Sequence, residues 1–174
     1  MPDIAKTQKK LREAQFFLAK LAAEASTERL DREDFEFYLS AFLSAGRSVT
    51  FALQFEQKPL YEGWYPVWRA TLTPDDAELF DFMKAQRNIT LKEGEPKTDV
   101  AIEYIAVTEL RRPPGTHPAY GFHWFGPPGV PPPSVGVKVH RFEVSGKQEE
   151  VLAVCRRYVN LLEALVASFV AVHP

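Results

Sequence analysis

The chain has little of what most recognisable catalytic sites are built from. Its 174 residues include one cysteine, Cys155, so no internal disulfide and no paired-cysteine zinc site can form. A lone cysteine is compatible with a reducing compartment. There is no Walker loop, no GxGxxG, no HExxH and no nucleophile elbow. Neither sign of charge dominates: the formal net charge is -2, which argues against an extended basic coat for nucleic acid and leaves room only for a local patch. No apolar run is long enough to span a bilayer. The longest, LLEALVASFVAV, carries Glu163 within it. The first residues, MPDIAKTQKKLREAQ, lack an apolar signal core. These features predict a protein of the cytoplasm with no membrane partner.

What is present is apolar periodicity. Hydrophobic residues make up 45% of the chain, enough to bury a core without metal or disulfide staples in a single domain of residues 1–174. From Ile4 to Ala25, Leu11, Ala14, Leu18, Leu21 and Ala25 step by three and four, with Phe17 beside them, which predicts an amphipathic helix. Ser26 and Asp31 are both N-cap candidates for the next helix, Arg32 to Gln57. There Phe35, Tyr38, Phe42, Gly46, Val49 and Leu53 form a stripe that Phe37, Leu39, Leu43 and Phe51 broaden. Gly46 weakens a helix by about 1 kcal/mol relative to alanine, so its position predicts close approach of another helix or a bulky side chain. Arg47 interrupts the apolar run. It either lays its stem along the core and pairs at the edge or lines a central groove.

KPLYEGWYPVWRATL is aromatic and interrupted by Pro66. It reads as a loop with one or two helical turns that packs Trp64, Tyr65 and Trp68 on the bundle. Thr73 then supplies an N-cap, Pro74 the first helical position, and Asp75 and Asp76 the acidic first turn. Gly94 and Pro96 stop that helix. Leu79, Phe82, Met83 and Gln86 mark its inner face. From Lys97 the period changes. TDVAIEYIAVTEL, AYGFHWF and SVGVKVHRFEV predict three short strands in an antiparallel meander, an insertion over residues 97–146 joined by Pro-rich connections. Those connections mostly stiffen surface loops, although Pro-rich segments also serve as ligands for aromatic grooves. A last helix is predicted from Lys147 to Val172, with Cys155 inside its apolar stripe as a small buried hydrophobe. The expected fold is mainly α: a four- to five-helix up-and-down bundle with a small antiparallel β insertion before the last helix.

Four clusters carry candidate chemistry. His123 and His140, with Glu103 or Lys138 on the same strand face and His117 nearby, offer a metal-ligand set of weak specificity. A mixed-charge solvated face explains the same residues, and no cofactor is implied. Arg111, Arg112, Lys138 and Arg141 with Tyr120 and Trp124 would make a basic and aromatic RNA surface, diluted by Glu103, Glu109 and Glu143. Trp64 to Trp68 offer an aromatic cage for a small molecule or peptide, beside the plainer reading as core packing.

The fourth cluster is RNITLK, at the end of the Thr73-capped helix. With FYLSAFLSAGRSVTFALQ, WYPVWRATL and FMKAQRNITLKEG, between Asp34 and Gly94, the chain resembles the HEPN superfamily and, more narrowly, a bacterial HEPN-like group. The resemblance implies a bundle of four or five helices, a homodimer, and a motif of arginine, a polar residue and a histidine a few positions on. In active members that motif cleaves RNA without metal in a dimer cleft. Arg87 matches the arginine and Asn88 the polar residue. Lys92 stands where the histidine is expected, and Glu93 and Gly94 follow where some members carry a tyrosine. RNA cleavage through the 2′-hydroxyl needs a group that exchanges a proton near neutrality. A lysine keeps its proton there unless strongly perturbed, although it can hold phosphate. The resemblance therefore implies a non-catalytic protein binding RNA or a protein partner, such as an antitoxin-like chain, in a defence, toxin–antitoxin or stress system. The alternatives are a metal-independent ribonuclease using Arg87 with Lys92 or an insertion histidine, and a small-molecule or peptide-binding module. A helix C-terminus explains Arg87 and Asn88 equally, since cations there complement the dipole.

Overall fold

A computed structural model of the chain describes residues 2–25, 33–106 and 134–173. Among these, five helices and three strands follow in the order α1 (Ala5–Ala25), α2 (Glu33–Glu56), α3 (Lys58–Ala70), α4 (Pro74–Glu93), β1 (Asp99–Ala106), β2 (Ser134–Val144), β3 (Lys147–Glu150) and α5 (Val151–Val172). The fold is thus mainly helical with a small antiparallel sheet before the last helix, as the periodicities predict.

The start of α1 is held from a distance. The first amides of a helix have no intrahelical partner. The Glu56 carboxylate accepts from the Lys6 and Thr7 amides at 2.7 and 2.9 Å and from the Thr7 hydroxyl at 2.7 Å. One side chain at the end of α2 therefore caps α1 and places a negative charge at its positive pole. The α1 stripe packs as its spacing predicts, with Ala14 and Leu21 buried and Leu11, Phe17 and Leu18 packed against the core.

The α2 helix buries Phe35, Leu39, Phe42, Leu43, Ala45, Gly46, Val49 and Leu53. Two residues expected to broaden that stripe do not: Phe37 is 63% and Phe51 46% exposed, because both lie on the opposite side of the helix. Gly46 has the close neighbour its position predicts. A Cβ built there would lie 2.7 Å from Cε1 of Tyr158 on α5. The ring cannot easily yield, since it is held edge-on by Phe42 and Phe80. Gly46→Ala is therefore expected to lower the unfolding free energy by about 1–2 kcal/mol, an overpacking cost that exceeds the gain alanine brings to an open helix position. Urea denaturation reads this directly, and a more stable variant would contradict the packing.

The expected loop after α2 is instead a 13-residue helix, α3, that runs through Pro66. A proline inside a helix costs about 3 kcal/mol or more. Here it is offset by aromatic burial at helical spacing: Tyr61, Trp64 and Trp68 are all buried. Trp64 stacks on Trp68 at 5.7 Å and meets Phe169 edge-on at 5.0 Å. Trp68 meets Phe80 edge-on at 5.6 Å. Arg69 then ties α3 to α4, donating to the Ala77 carbonyl at 2.6 Å and pairing with Asp81 at 2.9 Å.

The signals at the ends of α4 are obeyed. Thr73 accepts from the Asp76 amide, and Gly94 closes the helix at φ 89° with its amide on the Thr90 carbonyl. The buried face is Leu79, Phe80, Met83, Gln86 and Thr90, with Phe82 only partly covered.

The sheet order is β1-β2-β3, antiparallel throughout. The β1–β2 register runs from Asp99 opposite Arg141 to Ala106 opposite Ser134. The expected strand AYGFHWF lies outside the described residues, as do Ser26, Asp31 and the Pro-rich connections. The third strand is Lys147–Glu150, a segment that the sequence pattern assigns to the last helix. Ser145 and Gly146, at φ 53° and 74°, form a tight hairpin turn whose twist returns the chain onto β2, so the helix begins only at Val151. One face of β2 docks the sheet on the helices. Phe142 is fully buried against Phe82, His140 stacks on Phe35 at 4.1 Å, and Val144 is buried. Among the described residues, no helix is long and apolar enough to cross a membrane.

Candidate functional site: a tyrosine-lined cleft beside the end of α4

Four helices meet around a cleft of about 280 Å³. Arg47, Thr50, Phe51 and Gln54 come from α2, Tyr61 and Tyr65 from α3, Phe80, Asp81 and Lys84 from α4, and Tyr158 from α5. Helical spacing explains the α2 wall: Arg47, Thr50 and Gln54 at i, i+3 and i+7 form a polar file beside the apolar stripe. Close approach at Gly46 brings Tyr158 to the same place.

The Arg47 guanidinium lies 4.1 Å above the Phe51 ring and donates to the Thr50 hydroxyl at 3.0 Å. Of the two roles open to Arg47 in the sequence, it thus takes the groove-lining one. Tyr61 and Tyr65 stack at 4.9 Å and form one aromatic wall. Burial raises the Tyr61 phenol well above its ordinary range, with a further rise from Tyr65 that Arg47 opposes. Burial also raises Tyr158, again against Arg47. Both hydroxyls keep their protons at neutral pH and can donate. The one carboxylate at the cleft among the described residues, Asp81, is paired with Arg69. Arg47 and Lys84 therefore leave the lining with excess positive charge.

The motif residues continue from this cleft along α4. Lys84, Arg87 and Asn88 lie at i, i+3 and i+4, on one stretch of helix surface. Arg87 is half-buried and donates to the Asn88 side chain at 3.3 Å, while its Nε makes no hydrogen bond among the described residues. Lys92 is exposed, one turn beyond Asn88. It lies about 140° around the helix from Arg87, so the two cations diverge within one chain.

No protein-family model, curated protein or solved structure matches the chain.

The remaining candidates separate. His140 turns into the core against Phe35, whereas Glu103 points from the other face of the sheet and pairs with Arg141. The expected His140–Glu103 ligand pair is therefore divided by the sheet itself, because residues an odd number of places apart in register face opposite sides. His117 and His123 lie outside the described residues, and among the described residues no group of three His, Cys, Asp or Glu is placed to hold a metal. Arg111, Arg112, Tyr120 and Trp124 of the expected RNA surface also lie outside them. Trp64 and Trp68 are core residues, and of the expected cage Tyr65 alone lines the cleft, joined by Tyr61 from the same helix. Cys155 is fully buried, and burial pushes its thiol well above the ordinary range. Tyr61, Thr50, Gln54, Asp81 and Lys84 do not stand out in the sequence. The polar file on α2 is the signal available for two of them.

Proposed function

We propose that the protein is a non-catalytic, HEPN-like RNA-binding module that acts as a homodimer in the cytoplasm. One observation carries the RNA reading: Arg47 and Lys84 line a cleft walled by stacked tyrosines, and Arg87 follows Lys84 one turn along α4. Single-stranded nucleic acid is held in this way elsewhere, with cations along the backbone and aromatic faces for the bases. The Arg87 guanidinium contributes a forked donor suited to phosphate. A working ribonuclease is less well supported. The position expected for histidine is the exposed Lys92, pointing away from Arg87. Among the described histidines, His140 stacks on Phe35 and His173 packs against Trp64 and Phe169.

The test is fluorescence anisotropy with a single-stranded RNA at two salt concentrations. Arg87→Ala is expected to weaken binding several-fold and to reduce the salt slope by about 0.7, the loss of one phosphate contact. Unchanged affinity and slope would remove the reading. Incubating clean protein with RNA in EDTA checks the catalytic alternative, and cleavage that Arg87→Ala abolishes would establish it.

A second reading, a small-molecule module, is favoured by the cleft itself. Its volume lies just below the usual range of ligand pockets, about 300–1,000 Å³, and its buried phenols can donate to an anion. Under that reading a small aromatic anion raises the melting temperature of wild type but not of Arg47→Ala, while RNA does not bind.

A further inference from the structure

The outward face of α2 carries an arrangement of which the cleft uses only Phe51. Phe37, Ala41, Ser44, Ser48, Phe51 and Phe55 recur at intervals of four and three, so they form one stripe along the helix. Phe37, Phe51 and Phe55 are 63%, 46% and 76% exposed. Bulky side chains thus stand at both ends of the stripe and small ones in the middle. The spacing is also symmetric. Phe37 and Phe55, Ala41 and Phe51, and Ser44 and Ser48 are each centred on position 46.

We infer that this face is the contact surface for a second copy of the chain, packed with its α2 antiparallel across a two-fold axis at the level of Gly46. A two-fold contact must be self-complementary, residue i on j and j on i. The three-four alternation of the stripe is unchanged on reversal, so antiparallel pairing about position 46 brings its residues together in reciprocal pairs. Phe37 then meets Phe55 of the other copy, Phe51 meets Ala41, and Ser44 meets Ser48.

Two independent features agree. The small central residues permit close approach of the backbones, and the Ser48 hydroxyl is already met, donating to the Ser44 carbonyl at 2.7 Å in its own helix. Charge is complementary in the same sense. Glu33 and Asp34 lie one turn before Phe37, whereas at the other end the Lys6 ammonium sits 4.9 Å above the Phe55 ring and the neighbouring Glu56 carboxylate is engaged by the α1 amides. Antiparallel pairing places the acidic turn of each copy against the lysine of the other. Parallel pairing would set like charges together.

The inference supplies a surface for the proposed homodimer and is independent of RNA: the mass measurement and the RNA titration can fail separately. Light scattering on the wild type is expected to give twice the 19.7 kDa chain mass. A Ser44→Glu/Ser48→Glu variant, altered only at the outer face, is expected to be monomeric with an unchanged circular dichroism spectrum. A cross-link settles the orientation and holds even if that variant folds poorly. Mixed Phe37→Cys and Phe55→Cys chains are expected to form a disulfide-linked pair on oxidation. Phe37→Cys alone is not, since the two substituted positions would stand about 27 Å apart along the helix. A monomeric wild type, a folded double-glutamate variant that still dimerises, or a cross-link in Phe37→Cys alone would each overturn the inference.

Discussion

Phe142→Ala is expected to destabilise the protein by about 3–5 kcal/mol, the range for removing a large aromatic side chain from a packed core. Phe142 is fully buried on the face of β2 that meets the helices, with its ring edge-on to Phe82 at 5.2 Å. Its neighbours on that face, His140 and Val144, are also buried, so the three residues form the seam between sheet and bundle. Truncating the middle one leaves a cavity whose walls are a helix and a strand, neither of which can collapse freely. The neighbour Glu143 faces the other way and is exposed, so Glu143→Ala is expected to stay within about 0.5 kcal/mol of wild type. Urea titration of both variants makes the comparison. If Phe142→Ala and Glu143→Ala were equally mild, the sheet would not be docked through this seam.

Stability is also expected to fall as pH rises through the alkaline range. Cys155, Tyr61 and Tyr158 hold their protons in the folded protein, chiefly because burial penalises their charged forms. In the unfolded chain they titrate near their ordinary values of 9.0 for the thiol and 10.0 for the phenols. Above those values the unfolded state binds fewer protons than the native state, so the unfolding free energy declines with pH. Each such group adds a slope of about 1.4 kcal/mol per pH unit. The loss begins near pH 9 with the thiol and steepens near pH 10 when both tyrosines join. Thermal melts between about pH 8 and 11 would show it. Cys155→Ala should delay the onset to the tyrosine range, at the expense of a small cavity. A melting temperature flat to about pH 11 would mean that these groups reach solvent.

The sequence discloses the elements of this fold unequally. Helix ends were legible because their causes are local. Thr73, Pro74 and Gly94 act on backbone groups within one turn, and the structure uses all three as expected. The apolar stripes of α1 and α5 were legible because each buries a single face. Elements shaped by a competition between local and distant terms were not. Pro66 argued for a loop, but the burial of Trp64 and Trp68 against α4 and α5 outweighs it. The strand KQEE has no β pattern of its own. It exists because the Ser145–Gly146 turn delivers it to β2.

The candidate site divides in the same way. The sequence by itself determined a mainly helical bundle, the sheet's position before the last helix, the need for a close neighbour at Gly46, and the placing of Arg87 and Asn88 near a helix end. Each follows from spacing along one element, where neighbours are set by the pitch of the backbone. Only the tertiary structure decided that Arg47 lines a cleft, that Tyr61 and Tyr158 share it, and that His140 turns from Glu103 into the core. Those outcomes depend on how four helices and a sheet pack. Packing sums many small dispersion and burial terms between residues distant in the chain, and no local spacing records that sum.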